Sequence, residues 1–124
     1  MNVKTLLIVF TGSGLGGCAR WGVTLIMGST LNAFPWATFI VNFIACGMAG
    51  FVGTWASSKV DTAYGTLFWL VGFCGGFSTM SAFSREWLQL IQSGATTLQW
   101  VYPLATLLLN LLSTAFGAWL YIKI

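Results

Sequence analysis

Apolar residues run through this chain in four long stretches, separated by brief polar or turn-forming segments. A bilayer core of about 30 Å takes about 20 mostly apolar helical residues to cross. By that measure spans are predicted over about 3–27, 33–56, 64–91 and 100–121. Ser29, Thr30, Leu31 and Asn32 make a short turn after the first, and Pro35 starts the second helix. The segment Ser57-Ser58-Lys59-Val60-Asp61-Thr62 is the most polar in the chain and reads as a loop; Gln92-Ser93-Gly94 closes the third span. Within that span Gly72, Gly75 and Gly76, followed by Phe77-Ser78-Thr79, interrupt the helical pattern. The pattern predicts an all-α integral membrane protein, a single four-helix domain over residues 1–124, with its third helix broken near the bilayer midplane. The first stretch is long and glycine-rich, and reads as a span rather than a cleavable signal peptide.

Composition agrees with that class. Hydrophobic residues make up 57% of the chain and charged residues only 6%, with a mean hydropathy of +0.86. A soluble domain covers its surface with about a quarter charged residues, which this chain lacks. The net charge of +3 is spread out, so no nucleic-acid footprint is expected. Orientation is weakly coded: Lys4, Lys59 and Lys123 fall on one side with Asp61, and Arg85 with Glu86, plus Arg20 if it snorkels, on the other. So slight a bias leaves room for insertion both ways up and for an antiparallel dimer.

The chemistry on offer is narrow. There is no histidine, and the only carboxylates are Asp61 and Glu86, so neither His-based catalysis nor an acidic pair is available. Cys18, Cys46 and Cys74 sit in three different spans among small residues, without metal-ligand spacing, and read as packing residues. An enzyme is not expected. What remains is uncharged polarity in rows. Tyr102, Thr106, Asn110, Ser113 with Thr114, Gly117 and Tyr121 recur every three or four residues, which puts them on one face of the fourth span. Thr38 and Asn42 form a shorter row on the second. Such rows serve either hydrogen bonding between packed helices or a polar track through the membrane. Arg20 reads either as a snorkelling anchor or as a charge that draws anions to a vestibule, with Glu86 as its candidate partner. Gly12 and Gly16 form a small-xxx-small pair suited to close helix packing. The broken third span carries the sharpest signal: backbone groups freed at membrane depth must be buried in protein or line a polar cavity, and broken helices of this kind often form ion sites.

Three segments carry a family resemblance. Gly72-Phe73-Cys74-Gly75-Gly76-Phe77-Ser78-Thr79-Met80-Ser81-Ala82-Phe83 resembles the Fluc (CrcB) fluoride channel signature G-x-x-G-G-x-T-T-F-S-T-F. Gly16-Gly17-Cys18-Ala19-Arg20-Trp21 resembles the first-span G-G-x-x-R-[YW] of that family, and Thr38-Phe39-Ile40-Val41-Asn42 its second-span T-x-x-V-N. The resemblance implies a fluoride-selective channel of the cell inner membrane that exports fluoride by passive conduction. It implies two pores in an antiparallel, dual-topology homodimer, with lipid around it and a structural sodium ion at its centre. By position, the sodium ligands are the backbone carbonyls of Gly75 and Ser78. The pore phenylalanines fall on Met80 and Phe83, the pore asparagine on Asn42, and the polar track on Ser81, Tyr102, Thr106, Asn110 and Thr114.

The physics of those residue types suits fluoride, which is small and strongly hydrated. Amide and hydroxyl donors can replace its lost water, and an aromatic ring can meet an anion with its positive edge. Three positions depart from the signature. Ser78 and Ala82 each replace a usual threonine, and Met80 replaces a phenylalanine with a flexible thioether that has no ring edge to offer. Fluoride flux is expected to change at Met80 while fold and dimer survive. A small multidrug-type transporter shares the length and span count but needs a membrane carboxylate that the first span lacks. A non-transporting membrane scaffold would leave the broken span and polar row without a purpose.

Overall fold

A computed structural model describes residues 2–28 and 33–124; the turn expected at Ser29–Asn32 lies outside the described residues. Lipid offers no hydrogen bonds, so a spanning backbone must satisfy itself, and a helix does this within one segment. Among the described residues four such spans are long and apolar enough to cross a membrane. Helix α1 is Val3–Met27 and α2 is Trp36–Ser58. The third span, Ala63–Gln92, is composite: α3 (Ala63–Thr66), a π-helical stretch (Leu67–Cys74), α4 (Gly75–Phe77) and, after the break, α5 (Met80–Gln92). The fourth is α6, Leu98–Lys123.

The caps explain where these elements stop. Asn2 caps α1 by accepting the Lys4 N–H. Pro35 stands just before α2, whose first helical residue is Trp36. At the end of α5, Gly94 adopts φ 71°, and the Gly94 and Ala95 N–H groups bond back to the Ile91 and Leu90 carbonyls. That is a Schellman ending, completed by Ala95 packing on the cluster that holds Leu90. Pro103 sits inside α6 and has no N–H for the carbonyl four residues before it. That carbonyl, of Gln99, instead accepts the Trp87 indole N–H at 2.7 Å, which ties α5 to α6.

Packing runs in two seams. Helix α1 lies mainly against the first half of the third span, and α2 against α6. Glycines set both. A Cβ on Gly12 would come within 2.6 Å of the Phe68 carbonyl oxygen, and one on Gly72 within 3.0 Å of the Gly12 Cα. In the second seam a Cβ on Gly117 would fall 2.9 Å from the Gly47 carbonyl carbon, and one on Gly50 would strike the Thr114 carbonyl. Ser113 closes this seam by donating to the Phe43 carbonyl at 2.7 Å.

The sequence locates the third-span break at its glycines, and the structure moves it slightly and changes its cause. The helix runs straight through Gly72, Gly75 and Gly76 and ends at Phe77. Gly72 and Gly76 instead admit the α1 backbone, since a Cβ on Gly76 would sit 2.9 Å from the Ser13 Cα. Extended backbone begins at Ser78 (ψ 157°) and continues at Thr79 (φ −153°, ψ 110°).

Candidate functional site

The break is held by a side chain from another helix. Asn42, buried on α2, faces Thr79 and bonds both of its backbone polar groups. Its Oδ1 accepts the Thr79 N–H at 2.7 Å, and its Nδ2 donates to the Thr79 carbonyl at 3.2 Å. In an unbroken helix the Thr79 N–H would bond the Gly75 carbonyl. With the Thr79 N–H taken by Asn42, the Gly75 carbonyl loses that helical donor, and among the described residues no hydrogen-bond donor meets the Ser78 carbonyl. Thr79 then starts α5 as its N-cap, its hydroxyl accepting the Ala82 N–H at 3.2 Å and lying 3.2 Å from the Ser81 hydroxyl.

One turn and more beyond the break, Glu86 joins three helices. Its two oxygens accept the Thr38 hydroxyl of α2 at 2.7 Å and the Tyr102 hydroxyl of α6 at 2.8 Å. Tyr102 is fully buried, and its ring lies 5.1 Å from that of Phe83, itself buried at 7% exposure. Phe34, Phe39 and Trp87 pack around this pair.

Above these groups opens a cavity of about 800 Å³. Thr38, Thr79 and Glu86 line it, as do Arg20, Arg85, Trp21, Trp36 and Gln89. Arg20 and Glu86 thus share one cavity, but no hydrogen bond joins them among the described residues; the Glu86 oxygens accept hydroxyls instead.

The residues singled out from sequence therefore divide. Asn42 and Ser81 meet at Thr79, and Phe83 and Tyr102 meet each other. Met80 stands apart, 71% exposed on the outer face of α5, with Ser81 and Gly75 also exposed. Along α6 the polar row faces inward, and its members have different partners. Ser113 bonds α2, the Thr114 hydroxyl donates to the Asn110 carbonyl of its own helix at 2.9 Å, and the Tyr121 hydroxyl lies 2.7 Å from that of Ser58. Two members are unsatisfied: the Thr106 hydroxyl and the Asn110 Oδ1 are buried with no hydrogen-bond partner among the described residues. Cys18, Cys46 and Cys74 are free thiols, and no cluster of His, Cys, Asp or Glu suited to a metal exists among the described residues. The composition gave no reason to single out Glu86 as a three-helix junction; the only hint was its rarity, as one of two carboxylates.

These features define a multi-pass membrane protein with four helical spans, the third interrupted at mid-span beside a buried carboxamide and a charged cavity. The chain belongs to the CrcB family: the family described as CrcB-like protein, Camphor Resistance (CrcB), matches residues 7–118. A protein of Phocaeicola vulgatus named fluoride-specific ion channel FluC is 35% identical over 119 residues, covering 95% of this chain and 98% of its own. One of the same name from Flavobacterium psychrophilum is 34% identical over 117 residues, 93% of this chain and 94% of its own. Another from Ligilactobacillus salivarius, named FluC 1, is 32% identical over 115 residues, 93% and 97% of the two chains. Ion channels, not enzymes, are what these relatives are named for.

Proposed function

We propose that the protein is a fluoride-selective ion channel that lets fluoride leave the cell passively across the inner membrane. It works as an antiparallel, dual-topology homodimer with two pores and a structural sodium ion between the copies. The names of its relatives support the ion. The observation that carries the reading is the Thr106 hydroxyl and Asn110 carboxamide oxygen, buried on α6 without partners among the described residues. An unpaired buried polar group costs about 1–3 kcal/mol; in a span otherwise rich in leucine it is tolerable where water or an ion passes.

Fluoride gives up tightly held water, so each step of its path needs a donor. The Arg20 and Arg85 guanidiniums draw the anion into the cavity. The remaining Asn42 N–H, the Ser81 and Thr106 hydroxyls and the edge of Phe83 then replace its hydration. Tyr102 and Thr114 support this path rather than donate to it, since their hydroxyls are taken by Glu86 and the Asn110 carbonyl. A second copy suits the exposed face of α5, where Ser81 and Ser84 sit beside Met80 at a depth at which lipid cannot solvate polar groups. The Gly75 carbonyl, deprived of its Thr79 donor, and the Ser78 carbonyl fit sodium, a hard cation that takes oxygen ligands at unwound helix segments.

Fluoride efflux from liposomes carrying the purified protein, with chloride as the control anion, tests the reading. Release of fluoride without chloride is expected, and faster release after Met80→Phe. Retention of both anions by the protein and by the Met80→Phe variant alike would sink it.

A further inference from the structure

We infer that Asn42 is a positioning residue for the cation site: its carboxamide frees one sodium ligand and aims the other. This rests on the sodium reading above and concerns a different residue from the ligands. Two consequences follow from the pairing of Asn42 with Thr79. The Thr79 N–H is the natural helical donor to the Gly75 carbonyl; by accepting it at 2.7 Å, Asn42 takes that donor away from the carbonyl. The second consequence is geometric. The peptide joining Ser78 to Thr79 is planar and trans, so its C=O points opposite to its N–H. With the N–H fixed toward α2, the Ser78 carbonyl is turned away from α2. Gly75 is exposed, and a Cβ there would meet nothing within 4 Å, so its surroundings are open for a ligand. The second bond, from Nδ2 to the Thr79 carbonyl at 3.2 Å, ties the following peptide group to the same carboxamide, so Thr79 is held from both sides.

A side chain that does not touch the cation thus fixes, through hydrogen bonds to the backbone, where its ligands point. Loss of such partners typically weakens metal binding about 10–100-fold. Asn42→Leu keeps the shape and removes both bonds. The Thr79 N–H is then free to return to the Gly75 carbonyl and close the helix.

The test is thermal unfolding of the purified full chain across a sodium titration, with N-methylglucamine keeping ionic strength constant. The wild type should gain stability with a saturable sodium midpoint. In Asn42→Leu that midpoint should rise about tenfold or more, while unfolding without sodium changes far less. An unchanged midpoint in Asn42→Leu overturns the inference and leaves the sodium reading standing. A wild type indifferent to sodium overturns the sodium reading, and the inference with it. If Asn42→Leu does not fold, hydrogen exchange of the wild-type Thr79 amide decides. Slow exchange supports the clamp, and exchange at the rate of a free amide overturns it.

Discussion

Two hydroxyls from different helices converge on the Glu86 carboxylate, and this changes what Tyr102 does. Its position on the α6 row marks it as a donor to a passing anion, yet its proton is committed to Glu86 at 2.8 Å. Thr38 is committed in the same way on the other oxygen. Removing the hydroxyl by Tyr102→Phe leaves the buried ring in place against Phe83 and strands one oxygen of the carboxylate. Because Glu86 borders the open cavity, water can partly replace the lost bond, so the expected cost is about 1 kcal/mol. The thermal midpoint should fall accordingly, while the fluoride-over-chloride efflux ratio stays at the wild-type value. A collapse of that ratio with stability intact would return Tyr102 to the conduction path.

Among the elements, the α2–α6 seam is the least forgiving. Gly50 approaches the Thr114 backbone so closely that a Cβ would lie 2.8 Å from the Thr114 carbonyl carbon and 3.1 Å from the Ala118 nitrogen. Backbone atoms cannot move aside as a side chain can. Gly50→Ala is therefore expected to cost about 1–3 kcal/mol of overpacking. Gly53 lies on the same helix with nothing within 4 Å of its would-be Cβ. Gly53→Ala should gain about 0.5–1 kcal/mol from helix propensity. Paired unfolding curves in one detergent check both signs at once.

The same scale shows what the amino-acid order conveys. Hydrophobic runs locate all four spans, because span length is a local property: α1 ends at Met27 as expected, and α6 begins at Leu98 rather than 100. The break near Ser78 is also foreseeable, though its cause is not. Glycine looks like a helix breaker in one dimension, and only the proximity of Ser13 and Gly12 shows that Gly76 and Gly72 are contact surfaces. Asn42 and Thr79 stand 37 positions apart, and Thr38 and Glu86 stand 48 apart. Pairings at such separations depend on how helices are placed side by side, which no local periodicity encodes. The α6 row shows the limit most clearly, since spacing alone cannot tell bonded Ser113 from unpartnered Thr106.

For the whole molecule, the sparse charges decide how it sits in the membrane. Lys4, Lys59 and Lys123 lie at one end of the bundle and Arg20 and Arg85 at the other, so the positive-inside bias is nearly balanced. Two of the lysines are also held by aromatic rings, Lys4 over Tyr64 at 5.2 Å and Lys123 over Trp119 at 5.8 Å. The proposed dual topology predicts that a reporter fused to the C-terminus is found on both sides of the membrane. Lys4→Gln with Lys59→Gln should drive it to one side and lower fluoride export, because antiparallel pairs need both orientations. A wild-type reporter confined to one side would rule out dual insertion.

The two glycine seams also constrain biogenesis. Each joins helices that are not neighbours in sequence: α1 waits for the third span, and α2 waits for α6. As the chain leaves the ribosome, the first two spans therefore enter the bilayer without their principal partners. The bundle cannot close hairpin by hairpin. It must assemble late, once the last helix has been released laterally into lipid, and until then its glycine faces stay open to whatever else is being inserted nearby.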